Sequence, residues 1–370
     1  MSILSRIYFA LFLFFFLYVG QGDVVTAFFS ELSGRPAPDL SWLVALVVTV
    51  VASLSSRWLS RHCQAWLLPP MLPYMVWAWG VTAWVSVPFG SLAHQLVLLV
   101  VAVCGMFAET ARWRKHSAER KGGGIWKQFM PPAVSLLLMS LFMGIGAATT
   151  DVEHHELRTA ACLLDGHPKR ALKVGHKSLA TSRRLVALRA YAMASKPGHL
   201  ADELFAQPFP SSVGSSLLLF PEDGKQSWIF PADSLAAKLG DRKRDGENAL
   251  DYFARCAEKA GRRPSVAADY YLCGLLLDRR IDDFAREYPR FYGRLEQCRH
   301  VPHYYAEALV MYARLRTRPV IIHRDAAIEA NLKDYSDMGD SIADPRVRRN
   351  LLRRSYGDTY WWCYNYAGRK

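Results

Sequence analysis

The chain has 370 residues, 51% hydrophobic and 21% charged, with a formal net charge of +13. The charge is unevenly spread: the first 150 residues carry 10 Lys or Arg and 5 Asp or Glu, and the remaining 220 carry 36 and 28. This excludes a disordered chain, a disulfide-stapled small scaffold and an ordinary single-domain soluble enzyme.

The pattern predicts an all-α protein, with a transmembrane helical domain over 1–150 and a soluble helical-repeat domain over 151–370. A bilayer core of about 30 Å takes roughly 20 apolar residues to cross. Five segments approach this, at 7–27, 40–56, 66–87, 92–108 and 129–148. Pro69, Pro70 and Pro73 predict a late or irregular start to the third. Arg57 and Arg61 follow the second, and the basic loop 109–128 follows the fourth with Arg112, Arg114, Lys115, Arg120, Lys121 and Lys127. Positive charge in short loops marks the inner side, so five crossings deliver residues from Asp151 onward to the outer side. The first segment also has a signal-peptide reading, with Arg6 before the apolar run and Val25-Thr26-Ala27 as a cleavage-like site, but its length favours an uncleaved anchor.

Apart from Asp23 near the end of the first, no Asp, Glu, Lys or Arg falls inside the five predicted segments, which argues against a proton-coupled carrier. His94 and Gln95 are expected to face headgroups. Lys121-Gly122-Gly123-Gly124 lacks the spacing and the strand-to-helix setting of a phosphate loop, and loop 109–128 is expected to attract anionic lipid headgroups.

Beyond Asp151 the apolar spacing is helical. His155–Asp165 with Pro168–Leu179, and Ser182–Ser195 with Leu200–Ala206, form candidate hairpins whose turn glycines, Gly166 and Gly198, are 32 residues apart. This resembles degenerate tetratricopeptide-type hairpins with a period of about 34 residues, and predicts an α-solenoid or helical bundle. Further helices are expected at Val266–Leu277, Ile281–Tyr292 and Pro302–Leu315. Between these blocks lies a loop-rich insertion near 207–246, whose Trp228 and Phe230 are candidate partner-binding residues.

The chain closes on Tyr356-Gly357-Asp358-Thr359-Tyr360-Trp361-Trp362-Cys363-Tyr364-Asn365-Tyr366. Tyr360, Trp361 and Trp362 either dock into the domain or form a partner-binding patch. Together with His303-Tyr304-Tyr305-Ala306-Glu307-Ala308-Leu309, this segment resembles an uncharacterised family of integral membrane proteins of Bacteroidota. The resemblance covers 155–366 best and implies an inner-membrane location. It brings no activity and no catalytic residues.

Signals for chemistry are weak. His323-Arg324-Asp325 is followed by Asn331, six residues after the Asp where a kinase loop has five. Asp151, Glu153, His154, His155 and Glu156, and separately Cys298, His300 and His303, fall short of a metal ligand set. Cys256 and Cys273 are spaced to bridge consecutive antiparallel helices in an oxidising compartment. The basic excess comes without a nucleic-acid recognition motif, so no nucleic-acid partner is expected. No cofactor, metal site or catalytic residue is predicted. The leading expectation is a non-enzymatic inner-membrane protein whose periplasmic helical domain binds an envelope protein. The alternative is a membrane-embedded, glycosyltransferase-like enzyme of envelope glycan or lipid assembly, with Asp23 and Asp39 as its catalytic acids.

Overall fold

The computed structural model describes residues 3–33, 40–65, 68–87, 90–119, 125–147, 149–221, 230–231, 233–293 and 300–368, and all regular structure among them is helical. The chain divides into two compact units, Met1–Leu157 and Arg158–Lys370.

The first unit contains α1 (Ile3–Phe15), which runs into a π-helical turn at Phe16–Gly20, then α2 (Gly22–Ser33), α3 (Ser41–Ala65), α4 (Leu72–Ser86), α5 (Leu92–Glu119) and α6 (Ile125–Gly146). The unit boundary falls within α7 (Asp151–Leu164). By length and composition, Ile3–Gly20, Ser41–Cys63 and Leu92–Lys115 can each cross a bilayer, and a bent pair, 132–146 with 151–164, raises that number from three to four. The sequence predicts five. The third predicted crossing is α4, which starts only at Leu72 with Pro73 in its first turn. Its 15 residues reach about 22 Å, short of the hydrocarbon thickness.

The predicted loop 109–128 is largely helical. With no Gly or Pro before Gly122, nothing ends the helix after Ala108, and α5 continues to Glu119. Residues Ile125–Gln128 belong to α6, while the three-glycine stretch lies outside the described residues. His94 and Gln95 do not face outward as expected. They tie helices together: His94 Nε2 donates to the Gly146 carbonyl at 3.0 Å, and Gln95 Nε2 donates to Ser86 Oγ at 2.9 Å. Gly146 is needed there, because a Cβ would sit 2.8 Å from Leu98 Cδ2 and 2.9 Å from Thr82 Cγ2. Across the unit the hydroxyls point inward and the aliphatics outward: Ser56, Thr82 and Ser86 are fully enclosed, whereas Leu54, Val100, Leu137 and Ile145 are 60–73% exposed.

The second unit holds α8 (Pro168–Lys173), α9 (Arg183–Met193), α10 (His199–Glu203), α11 (Asp233–Leu239), α12 (Ala249–Ala260), α13 (Val266–Leu277), α14 (Ile281–Tyr292), α15 (His303–Leu315), α16 (Ala326–Ser341), α17 (Pro345–Tyr356) and α18 (Tyr360–Tyr366). Local sequence starts them. Ser182, Asn248, Ser265, Asp325, Asp344 and Thr359 each accept a backbone N–H from the first turn of the helix that follows. The Asp of the kinase-like His323-Arg324-Asp325 is thus a helix cap.

Helix α13 is apolar all round and lies at the centre, with its Gly274 against Leu250 and Phe253 of α12. Helix α14 turns Phe284, Tyr288 and Phe291 inward and its charges outward. The tetratricopeptide reading finds no counterpart in the first two predicted units, because α8 and α10 have only 6 and 5 residues, too short for the second helix of such a hairpin. Cys256 and Cys273 are free, buried thiols rather than a bridge, and act as small core side chains. Burial pushes both thiols up, so both are also poorly reactive.

Phe284 is completely enclosed. Phe284→Ala is expected to cost about 3–5 kcal/mol, and Leu351→Ala, on the exposed side of α17, less than about 0.5 kcal/mol. Thermal unfolding followed by tryptophan fluorescence separates the two.

Candidate functional site

The polar chemistry of the second unit is concentrated at two buried carboxylates and one exposed helix pair. Asp269, on α13, is fully enclosed. Its Oδ2 accepts the Gly198 backbone N–H at 2.7 Å, and its Oδ1 accepts the hydroxyls of Tyr292 and, at 3.2 Å, Tyr305. One carboxylate thereby holds the start of α10, the end of α14 and the first turn of α15 onto α13. Burial pushes its carboxyl up to about 6, against the pull of those three donors.

The second carboxylate, Glu307 of α15, is 2% exposed. Its Oε2 accepts the Tyr360 backbone N–H at 2.7 Å, so it sits on the N-terminus of α18. Its Oε1 lies 3.3 Å from His303 Nε2, and this contact holds the imidazole above its usual range. Asp202 accepts the His303 backbone N–H at 2.8 Å, joining the start of α15 to α10. These carboxylates accept what the helices would otherwise leave unpaired, so they fasten helices to one another.

The predicted site residues fall in different places. Tyr360 and Trp361 are completely enclosed, with Tyr360 edge-on to Phe205 at 5.2 Å and Trp361 against Tyr335 at 6.3 Å. They offer no surface to a partner. Trp362 is half-buried, with the Arg353 guanidinium 5.8 Å from its ring. Phe230 packs on Tyr191 at 5.0 Å and on Phe220 at 5.4 Å. Lys238 Nζ lies 3.6 Å from the centre of the Tyr191 ring, and burial pulls its amine down to about 8. Trp228 and Asp39 lie outside the described residues. Asp23 stands in the first turn of α2 with His154 Nδ1 3.7 Å away. His300 lies 3.9 Å from Asp202, and among the described residues no three His, Cys, Asp or Glu side chains converge on a metal position.

What the sequence reading passed over is the pair α16–α17. Helix α16 exposes Glu329, Asp334, Asp337 and Asp340 beside a single Lys333. Helix α17 carries five arginines and no acid. The two pack through Gly339 and Leu352 and against Tyr356 on Tyr335. Arg348 is spent on the Ile342 carbonyl and Arg353 on Trp362. Among the described residues the acids of α16 and Arg346, Arg349 and Arg354 have no side-chain partner. Val347 and Leu351 lie 47% and 44% exposed among them. The run Arg346-Val347-Arg348-Arg349 after an Asp-Pro helix start was the available signal.

Asp269 gives a pH test. The folded chain holds its proton more tightly than an unfolded one. The stability this confers is complete below the ordinary carboxylate range, about 3.9, and is lost as pH rises through about 6. The melting temperature of the native chain relative to Asp269→Asn is therefore expected to fall between about pH 4.5 and 7.5. A difference that stays flat with pH would remove Asp269 as the titrating group. Asp269→Ala, which strands three buried donors, is expected to cost about 3 kcal/mol or more at either pH.

Residues 241–367, about a third of the chain, match the sequence profile of a family of unknown function, DUF6057. The matched stretch contains Asp269, Tyr292, Tyr305 and Glu307 and the whole of α16–α18. No curated protein and no solved structure matches the chain.

Proposed function

We infer that the protein is a non-enzymatic integral protein of the inner membrane, whose helical second unit binds a protein partner of the cell envelope through the exposed face of α16–α17. The observation that carries this is the unpaired charge on that face, acidic on one helix and basic on the next, with Val347 and Leu351 between. Surfaces of one sign beside the other select and orient a protein partner more than they bind it tightly. The buried carboxylates of the second unit, Asp269 and Glu307, fit this reading, since they are committed to holding helices.

The orientation rests on charge. Arg57 and Arg61 near the end of α3, and Arg112, Arg114 and Lys115 on α5, belong on the inner side. Counting the short α4 as a crossing gives five, and alternation through them puts the second unit outside and the basic stretch of α5 beside anionic lipid headgroups. The enzyme reading has one supporting observation, the Asp23–His154 pair. An Asp23→Ala chain that leaves the lipid and glycan profile of the cell equal to wild type, where deletion changes it, removes that support.

Two measurements test the main reading. Photo-crosslinking from Asp337 and Arg349 in cells should recover one envelope protein, lost when Arg346→Glu and Arg354→Glu are combined. Recovery of only bulk lipoproteins counts against it. Phosphatase and fluorescent-protein fusions after Gln128 and at Lys370 should report inner and outer sides respectively, and an inner Lys370 would overturn the envelope assignment.

A further inference from the structure

Between α4, α5 and α6 the first unit encloses a cavity of about 240 Å³. Its wall is apolar and adaptable, with Met75, Met106 and Met139 beside the small Ala102 and Gly105. Val101 and Leu138 also line it and are 49% and 52% exposed, so the cavity opens on the aliphatic outer surface of the helices. In a bilayer that surface faces hydrocarbon, and whatever enters does so from the lipid.

One end is polar. Ser135 Oγ donates to Glu109 Oε2 at 2.7 Å, and Arg112 Nη1 lies 3.6 Å from the same oxygen and donates to Ser135 Oγ at 3.3 Å. Glu109 is only 8% exposed, yet among the described residues its Oε1 accepts nothing, and Arg112 Nε and Nη2 donate to nothing. A carboxylate on so nearly buried a residue calls for a donor at its second oxygen. The site thus presents one free acceptor on an anion and a free fork of donors on a cation, at the end of an apolar pocket.

We propose that this cavity binds a zwitterionic phospholipid with a primary ammonium headgroup, one acyl chain among the methionines, the ammonium on Glu109 and the phosphate on Arg112. An anionic lipid such as phosphatidylglycerol supplies the phosphate but offers Glu109 only neutral hydroxyls, with no positive charge to balance the carboxylate. A choline headgroup carries the positive charge but has no N–H to give. Only the primary ammonium satisfies both members of the pair.

Native mass spectrometry of the purified full-length chain, titrated with phosphatidylethanolamine, phosphatidylcholine or phosphatidylglycerol, tests this. Phosphatidylethanolamine should be retained about tenfold better than either of the others, as one charge-assisted hydrogen bond dictates. Glu109→Gln keeps an acceptor for Ser135, and should bring phosphatidylethanolamine down to the level of phosphatidylcholine. Gly105→Leu fills the cavity; its Cβ meets only Met75 Cε, at an ordinary 3.5 Å, and it should weaken retention of all three lipids. Phosphatidylglycerol held as well as phosphatidylethanolamine would mean surface attraction by basic residues alone, and would overturn the proposal. So would a preference that survives Glu109→Gln. Should Glu109→Gln fail to fold, a monodisperse, helical Gly105→Leu chain that still retains phosphatidylethanolamine fully would overturn it instead.

Discussion

A helix bundle that turns its aliphatic side chains out and its hydroxyls in cannot be kept in water. In the first unit Leu54, Leu137 and Ile145 are more than 60% exposed while Ser56 and Thr82 are enclosed. Apolar surface exposed on that scale is stable only where the surroundings are hydrocarbon, and hydroxyls are economical only where another helix accepts them. Thr82 Oγ1 donates to the Ala78 carbonyl of its own helix at 2.7 Å and Trp77 Nε1 to Ser55 Oγ of α3 at 2.8 Å, so these groups are satisfied inside the bundle. The second unit follows the opposite rule, with Phe253, Phe284 and Leu272 inside and the charges of α14 outside. One chain thus obeys two solvents, and everything inferred about its role depends on that inversion.

Within the second unit the carboxylates carry a similar constraint at smaller scale. Helices as short as α10 and α18 cannot hold themselves, because nucleation is costly and a five- or seven-residue helix returns few hydrogen bonds. Asp269 and Glu307 reach from the long central helices α13 and α15 to the backbone N–H groups that open those short ones. The stretch His303–Leu309, conspicuous in the sequence for its aromatics, is the first two turns of α15, and its Tyr305 and Glu307 are both partners in these ties.

Much of this was legible in advance and some was not, for physical reasons. Helices at Val266–Leu277 and Ile281–Tyr292 follow from local apolar spacing and from breaks on either side, and they stand at those bounds. The division of charge along the chain likewise announces a membrane-facing half. Glu109 was read as a loop residue because a charge ends a hydropathy window, although nothing in the sequence ends the helix there. Asp269 was invisible: one acid in an apolar run looks like a surface residue until Gly198, 71 positions away, is seen to need an acceptor. Tyr360 and Trp361 present the converse case, since composition cannot say whether an aromatic run lies against its own domain.

Exposed ion pairs contribute roughly 0–1 kcal/mol each, so at about 0.5 kcal/mol apiece the unpaired charges of α16–α17 supply about 3.5 kcal/mol to a contact, equivalent in free solution to a dissociation constant in the millimolar range. A soluble protein with such a face would find its partner rarely. A chain held in a bilayer beside a partner held in the same bilayer meets it as one linked module meets another, at an effective concentration in the millimolar range. On the reading proposed above, the same weak face is then occupied for a substantial fraction of the time and released quickly. The apolar helices of the first unit are, on this account, part of the binding energy of the second, and a version of α16–α17 freed from them would lose most of its affinity without losing a single contact.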